Sequence, residues 1–174
     1  LVGSEMCIRD RGNNDYKPSV ARWNIATGEI NPMPYEYPDL KKVRFIYAAS
    51  AEHQLYVQCY TQYDLMTICD FNGNLKCNIY GPKWVNEKTQ TQHYSLGVEF
   101  CGDKILALYS GGDHRTDAYY PTKFLVFDLN GNYLKTLETG YMITDFCYDK
   151  ENNRLIINLN DEIQFAYLDL EGII

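Results

Sequence analysis

"FLVFDLNGNYLKTLETG" (124–140) has a second copy in the same chain, "MTICDFNGNLKCNIYG" (66–81). Each reads as an alternating strand ending in Asp, an Asn-Gly-Asn turn, and a second strand. Asn-Gly supplies the positive φ angles that a tight hairpin needs, so both segments are β-hairpins. "FAYLDLEGII" (165–174) repeats the first half and stops at the turn, and "VARWNIATGEINPMP" (20–34) is a looser copy turning at Thr27-Gly28. The turn glycines Gly28, Gly73, Gly131 and Gly172 are 45, 58 and 41 residues apart.

A further hairpin precedes each of the last three copies. "RFIYAASAEHQLYVQCY" (44–60), "SLGVEFCGDKILALYS" (95–110) and "ITDFCYDKENNRLIINLN" (143–160) each read as two strands with a short polar link. Four short strands per unit of roughly 40–50 residues is the pattern of β-propeller blades. Strands at 43–50, 54–60, 65–71 and 75–81 make one blade, and 94–101, 104–110, 123–129 and 133–138 a second. A third shows only 143–149, 153–159 and 163–170, and 19–36 supplies the last two strands of an earlier one. The expectation is an all-β chain, a β-propeller fragment of about three and a half four-stranded blades. Closed propellers use four to eight blades, so the chain reads as the C-terminal part of a larger ring.

Residues 1–11, "LVGSEMCIRDR", fit none of this. They match the translation of a transposase adapter used in sequencing libraries, with ten identical residues and a permitted eleventh. The expected division is therefore a non-native segment at 1–11 and a partial propeller domain at 12–174. Removing two acids and two bases with that segment leaves the formal net charge of −7 unchanged. An acidic chain with no basic run is a poor binder of nucleic acid or anionic membrane. The 16 tyrosines, with abundant Val, Ile and Phe, suit β structure. Beyond Cys7, the cysteines Cys59, Cys69, Cys77, Cys101 and Cys147 are odd in number and form no C-x-x-C pair. They read as small buried hydrophobes within strands, with no disulfide framework and no zinc ribbon.

The repeats lack the G-H and W-D pairs of WD40 blades. Gly111-Gly112 gives a partial kelch echo that the 43–81 blade does not share. The closing segment "KFLVFDLNGNYLKTLETGYMITDFCYDKENNRLIINLNDEIQFAYLDLEGII" (123–174) resembles the TolB-like six-bladed β-propeller lipoproteins of Bacteroides-type bacteria. The likeness lies in blade rhythm and in the V/YxDLxG hairpins, and covers essentially 16–174. It implies a six-bladed ring on an exported protein, periplasmic or held at the outer membrane by a lipid anchor. The signal and the lipid-bearing cysteine would lie upstream of residue 12.

The two longest links are "GPKWVNEKTQTQH" (81–93, between blades) and "GGDHRTDAYYPT" (111–122, between second and third strands). Propeller topology puts both kinds of link on one face, where binding residues tend to sit. The candidate ligand-binding residues are Lys83, Trp84, His93, Asp113, His114, Arg115, Asp117, Tyr119 and Tyr120. Shorter links add Asp39, Lys41, Tyr63, Asp64, Asp161 and Glu162. Rings and mixed charges suit an unknown protein, peptide or glycan ligand. The structural alternative packs Trp84 and the tyrosines under their own loops. Asp113, His114 and Asp117 have no established metal spacing, so no metal, catalytic residue or cofactor is assigned. The leading expectation is a non-catalytic binding propeller. A propeller enzyme acting on glycans, as hydrolase or lyase, and a cytosolic kelch-like interaction module are the alternatives, since the fold hosts all three.

Overall fold

The computed structural model of the protein describes residues 21–32, 40 and 43–174, apart from the side chain of Asp117. Residues 1–11, Asp39 and Lys41 lie outside the described residues. Thirteen strands follow one another: β1 (Ala21–Asn24), β2 (Glu29–Pro32), β3 (Phe45–Ser50), β4 (Leu55–Tyr60), β5 (Leu65–Asp70), β6 (Leu75–Tyr80), β7 (Thr91–Cys101), β8 (Lys104–Asp113), β9 (Lys123–Asp128), β10 (Tyr133–Glu138), β11 (Ile143–Asp149), β12 (Arg154–Leu159) and β13 (Phe165–Asp169). The described residues contain one helical element, a single 3-10 turn at Asp117–Tyr119. β3–β6 and β7–β10 form two four-stranded antiparallel meanders, β11–β13 a three-stranded one, and β1–β2 a lone hairpin. The Arg22 guanidinium of that hairpin donates to the Phe71 carbonyl of the next sheet. The chain has β-propeller architecture, with the first strands β3, β7 and β11 lying side by side.

Period-2 alternation explains how the blades stack. On β8, Ile105, Ala107 and Tyr109 face the first full blade, where they meet Leu55, Val57, Cys59, Met66 and Ile68. The intervening Leu106 and Leu108 face the third blade and meet Phe146, Leu155 and Ile157. Strand β9 divides its residues likewise, with Phe127 in the first cluster and Phe124 and Val126 in the second. A strand buried on both faces must be a continuous apolar run, and "ILALY" is one. Each fully buried aliphatic side chain contributes about 1.5–3 kcal/mol, so these two clusters supply the main cohesion between blades.

The two Asn-Gly-Asn turns have matching geometry. Asp70 Oδ1 accepts from the amides of Asn72 (2.8 Å) and Asn74 (2.9 Å), and Oδ2 accepts from Asn74 Nδ2 at 2.8 Å. Asp128 repeats all three bonds to Asn130 and Asn132 at the same distances. The asparagine hydrogen bonds hold both carboxyls below the usual carboxylate range.

Two details differ from the sequence reading. β7 begins at Thr91 and β8 runs to Asp113, with Thr91 paired to Asp113 and Gln92 to Gly112. Gly111-Gly112 reads as a loop start, yet β8 continues through it, and the loops shrink to 81–90 and 114–122. The reading of all five cysteines as buried also needs correction. Cys59, Cys69 and Cys101 are buried, Cys77 is intermediate and Cys147 is exposed. On β11, Phe146 faces the second blade, so Cys147 points to the side on which no described sheet packs.

Gly131 has φ +84°, and a Cβ there would lie 2.8 Å from Cys77 Sγ and 2.9 Å from Ile79 Cδ1 of the adjacent blade. Gly172 has a similar φ of +70° with nothing within 4 Å. Gly131→Ala should therefore cost about 3 kcal/mol, backbone strain and overpacking together, against about 1 kcal/mol for Gly172→Ala. Urea midpoints of the two variants check this; equal shifts would mean that the turn does not bear on its neighbour.

Candidate functional site

Links 81–90 and 114–122 lie on one face and touch. His114 donates its backbone N–H to the Gln90 carbonyl at 3.2 Å, and its Nδ1 lies 2.9 Å from the same oxygen. Gln90 thus ties the link between blades to the link within the second blade. Asp113 Oδ1 accepts from the Arg115 amide (2.9 Å) and Nε (3.0 Å), and Oδ2 accepts from Nη2 at 2.6 Å. Arg115 holds the Asp113 carboxyl below the usual range. The guanidinium is still 67% exposed, so the pair itself adds little stability. Tyr119 and Tyr120 stack on each other at 4.2 Å, and the backbone of Asp117 opens the 3-10 turn that carries them. Asp161 and Glu162 are exposed on the 160–164 link.

Three candidates are interior. His93, expected on the loop face, is 2% exposed within β7, because the extended β7–β8 ladder draws it under the loops. Its Nδ1 lies 3.3 Å from Tyr109 Oη and 3.7 Å from Asp64 Oδ1. Asp64 is 1% exposed, and its Oδ2 accepts from the Lys83 amide at 2.9 Å. Tyr63 is buried beside it. Trp84 is half-buried against Tyr63 and Tyr80, with ring centroids at 6.1 and 4.8 Å, and packs on the Leu40, Val43 and Phe45 cluster. That is the structural alternative for this tryptophan: it anchors its loop. His53 Nε2 donates to the Gly102 carbonyl, 2.8 Å away, on the opposite face.

Asp64 and Tyr109 also line a cleft of about 450 Å³ between the first and second full blades. Ile79, Leu125, Phe127 and Tyr133 line its lower part, and Lys83, Tyr94, Tyr109 and Lys123 its upper part. Lys123 Nζ lies 5.8 Å from the centre of the Tyr109 ring, and Lys83 Nζ reaches the Gly111 carbonyl at 3.4 Å beside that ring. Burial and the Asp64 charge both push the Tyr109 phenol up, so it stays protonated. Sequence reasoning missed Lys123, Tyr109, Tyr94 and Tyr133. Each sits in a strand, and only alternation on β8 and β9 hinted that they share a side. Among the described residues no cluster of three or more His, Cys, Asp or Glu side chains is placed to hold a metal ion.

No family model matches the sequence and no curated protein matches it. Solved structures do resemble it. A chain in a nidogen/laminin complex superposes with a TM-score of 0.59 at 12% identity, covering 89% of this chain and 55% of that one. BamB from Moraxella catarrhalis gives 0.53 at 12% identity, covering 96% and 44%. The extracellular domain of a putative hybrid two-component system from B. thetaiotaomicron gives 0.61 at 9%, covering 97% and 20%. The chain spans about half the length of these structures or less. At such identities the likeness establishes the propeller-like fold and nothing further.

Burial takes the His93 imidazole below its ordinary value of 6.5, outweighing the pull of Asp64, and Lys83 adds to the effect. A depressed native pKa gives stability that is present above the unfolded value and lost as pH falls through the folded one. Nitrogen NMR should show a neutral His93 ring at pH 6.5, and His93→Gln should flatten the loss of stability on the acid side of that value. A ring that titrates at or above 6.5 would contradict the assignment.

Proposed function

We infer that the protein is a non-catalytic binding propeller that holds a protein or peptide partner on the face carrying links 81–90 and 114–122. The observation that carries this reading is the joint at Gln90. Two long links that could have moved separately are tied into one surface, with the Arg115 guanidinium and the stacked Tyr119–Tyr120 pair on it. Aromatic and arginine side chains on a rigid support are the usual anchors of a protein interface. Two structural neighbours add support: one comes from a nidogen/laminin complex, and another is an extracellular domain. The TolB-like resemblance extends the reading to a six-bladed ring on an exported, lipid-anchored protein.

Defined peptide and glycan arrays test the class of ligand. Peptides should bind, and Arg115→Glu and Tyr120→Ala should each weaken them by about 1 kcal/mol, roughly fivefold. Binding of glycans alone, or peptide binding untouched by both variants, would overturn the reading.

A further inference from the structure

The geometry points to the cleft between the first two full blades as a receptor for the C-terminus of a peptide chain, ending in an aromatic or large aliphatic residue with its free carboxylate. The assignment rests on the peptide-binding reading above and gives that partner a chemical end.

Charge supports it first. The protein carries a formal net charge of −7, yet two lysines converge at the mouth of this cleft, both beside the Tyr109 ring. Neither is strongly engaged. Lys83 Nζ has the Gly111 carbonyl at 3.4 Å, and Lys123 Nζ has Glu138 at 3.6 Å, a carboxylate 66% exposed to water. Two ammonium groups against low-dielectric walls focus a positive potential and favour an anion. Lys83 is also held in place from below, because the buried Asp64 carboxylate accepts its backbone N–H at 2.9 Å. Gly81 permits this approach: a Cβ at that position would come within 2.2 Å of the Asp64 carboxyl.

Shape supports it next. Below the lysines the walls are apolar, with Ile79 on one blade and Leu125 and Phe127 on the other. The lower end is shut by the 129–132 turn of the second blade. There Lys76 Nζ donates to the Leu129 carbonyl (3.0 Å), Cys77 Sγ to the Asn130 carbonyl (3.4 Å), and Gly131 sits against Ile79. A continuous strand cannot pass through a cleft closed in this way, whereas a terminal side chain can enter it. The α-carboxylate would then stay at the mouth between Lys83 and Lys123, and the preceding residues would leave across the 81–90 and 114–122 links. A volume of about 450 Å³ suits one large side chain and its terminal carboxylate.

The test uses one peptide, a flexible Gly-Ser chain ending in Phe, made as the free acid and as the C-terminal amide, with N-acetyl-phenylalanine as a third probe. Calorimetry against the full chain should show the free-acid peptide binding about tenfold more tightly than the amide. Lys83→Gln or Lys123→Gln should remove that advantage and leave the weak amide binding unchanged. Tyr133→Ser, at an exposed wall position, should weaken both forms. Equal affinity of acid and amide, or an acid preference that survives the Lys83→Gln/Lys123→Gln pair, would overturn the proposal. Tighter binding of N-acetyl-phenylalanine than of the peptide would overturn the peptide as occupant in favour of a small free acid. If both peptide forms fail while internal segments bind through Arg115, the C-terminal assignment falls and the loop-face reading stands. If no peptide of any kind binds, both fall.

Discussion

Strand β8 is pressed from both sides, and the rest of the molecule is arranged around that double burial. Ile105 and Ala107 fill the space against one neighbouring blade, while Leu106 and Leu108 fill the space against the other. Neither blade interface can be lost without exposing one face of the same strand. Contact with water would cost the middle blade its largest stabilising term. The hairpin turns then need only to close the sheets, and the same Asp-capped turn serves in successive blades with nearly superposable hydrogen bonds.

That packing sets what the loop face can be. The long ladder of β7 with β8 raises the second blade above its neighbours and draws His93 and Tyr109 under the link between blades. Asp64 joins the two levels. Its Oδ2 fixes the Lys83 backbone from below, and its Oδ1 lies enclosed 3.7 Å from the His93 imidazole. Burying a carboxylate costs free energy that its polar contacts must offset. The sites that keep such a group tend to be those where its geometry matters to something else, here the height and angle of Lys83.

Much of the fold was legible because its signals are local. Asn-Gly marks a turn wherever it occurs, and alternation over five or six residues marks a half-buried strand. Strand limits at β4, β5, β9 and β10 therefore lie within a residue of the sequence reading. Gly111-Gly112 misled for the same reason: a glycine pair is a local turn signal, but pairing with Thr91 and Gln92 across the ladder kept it extended. Cys101 and Cys147 hold equivalent places, each following a Phe in the first strand of successive blades, yet one is buried and the other exposed among the described residues. Equivalence is a property of one blade, whereas burial depends on whether a second sheet lies against it.

The candidate site divides along the same line. Arg115, His114 and the Tyr119–Tyr120 pair were readable because one contiguous segment carries them on a loop. The cleft was not, because Lys83, Tyr109, Lys123 and Tyr133 come from different strands and links and meet only when two blades pack. The sequence by itself determined the hairpins, their number and order, and the face on which the long links emerge, since each of these follows from backbone preference and alternation over a few residues. The tertiary structure alone decided which polar groups go under, which cations stand together and where the space between blades closes. Those outcomes depend on the distance and angle between sheets, set by side chains far apart in the chain and filling one interface.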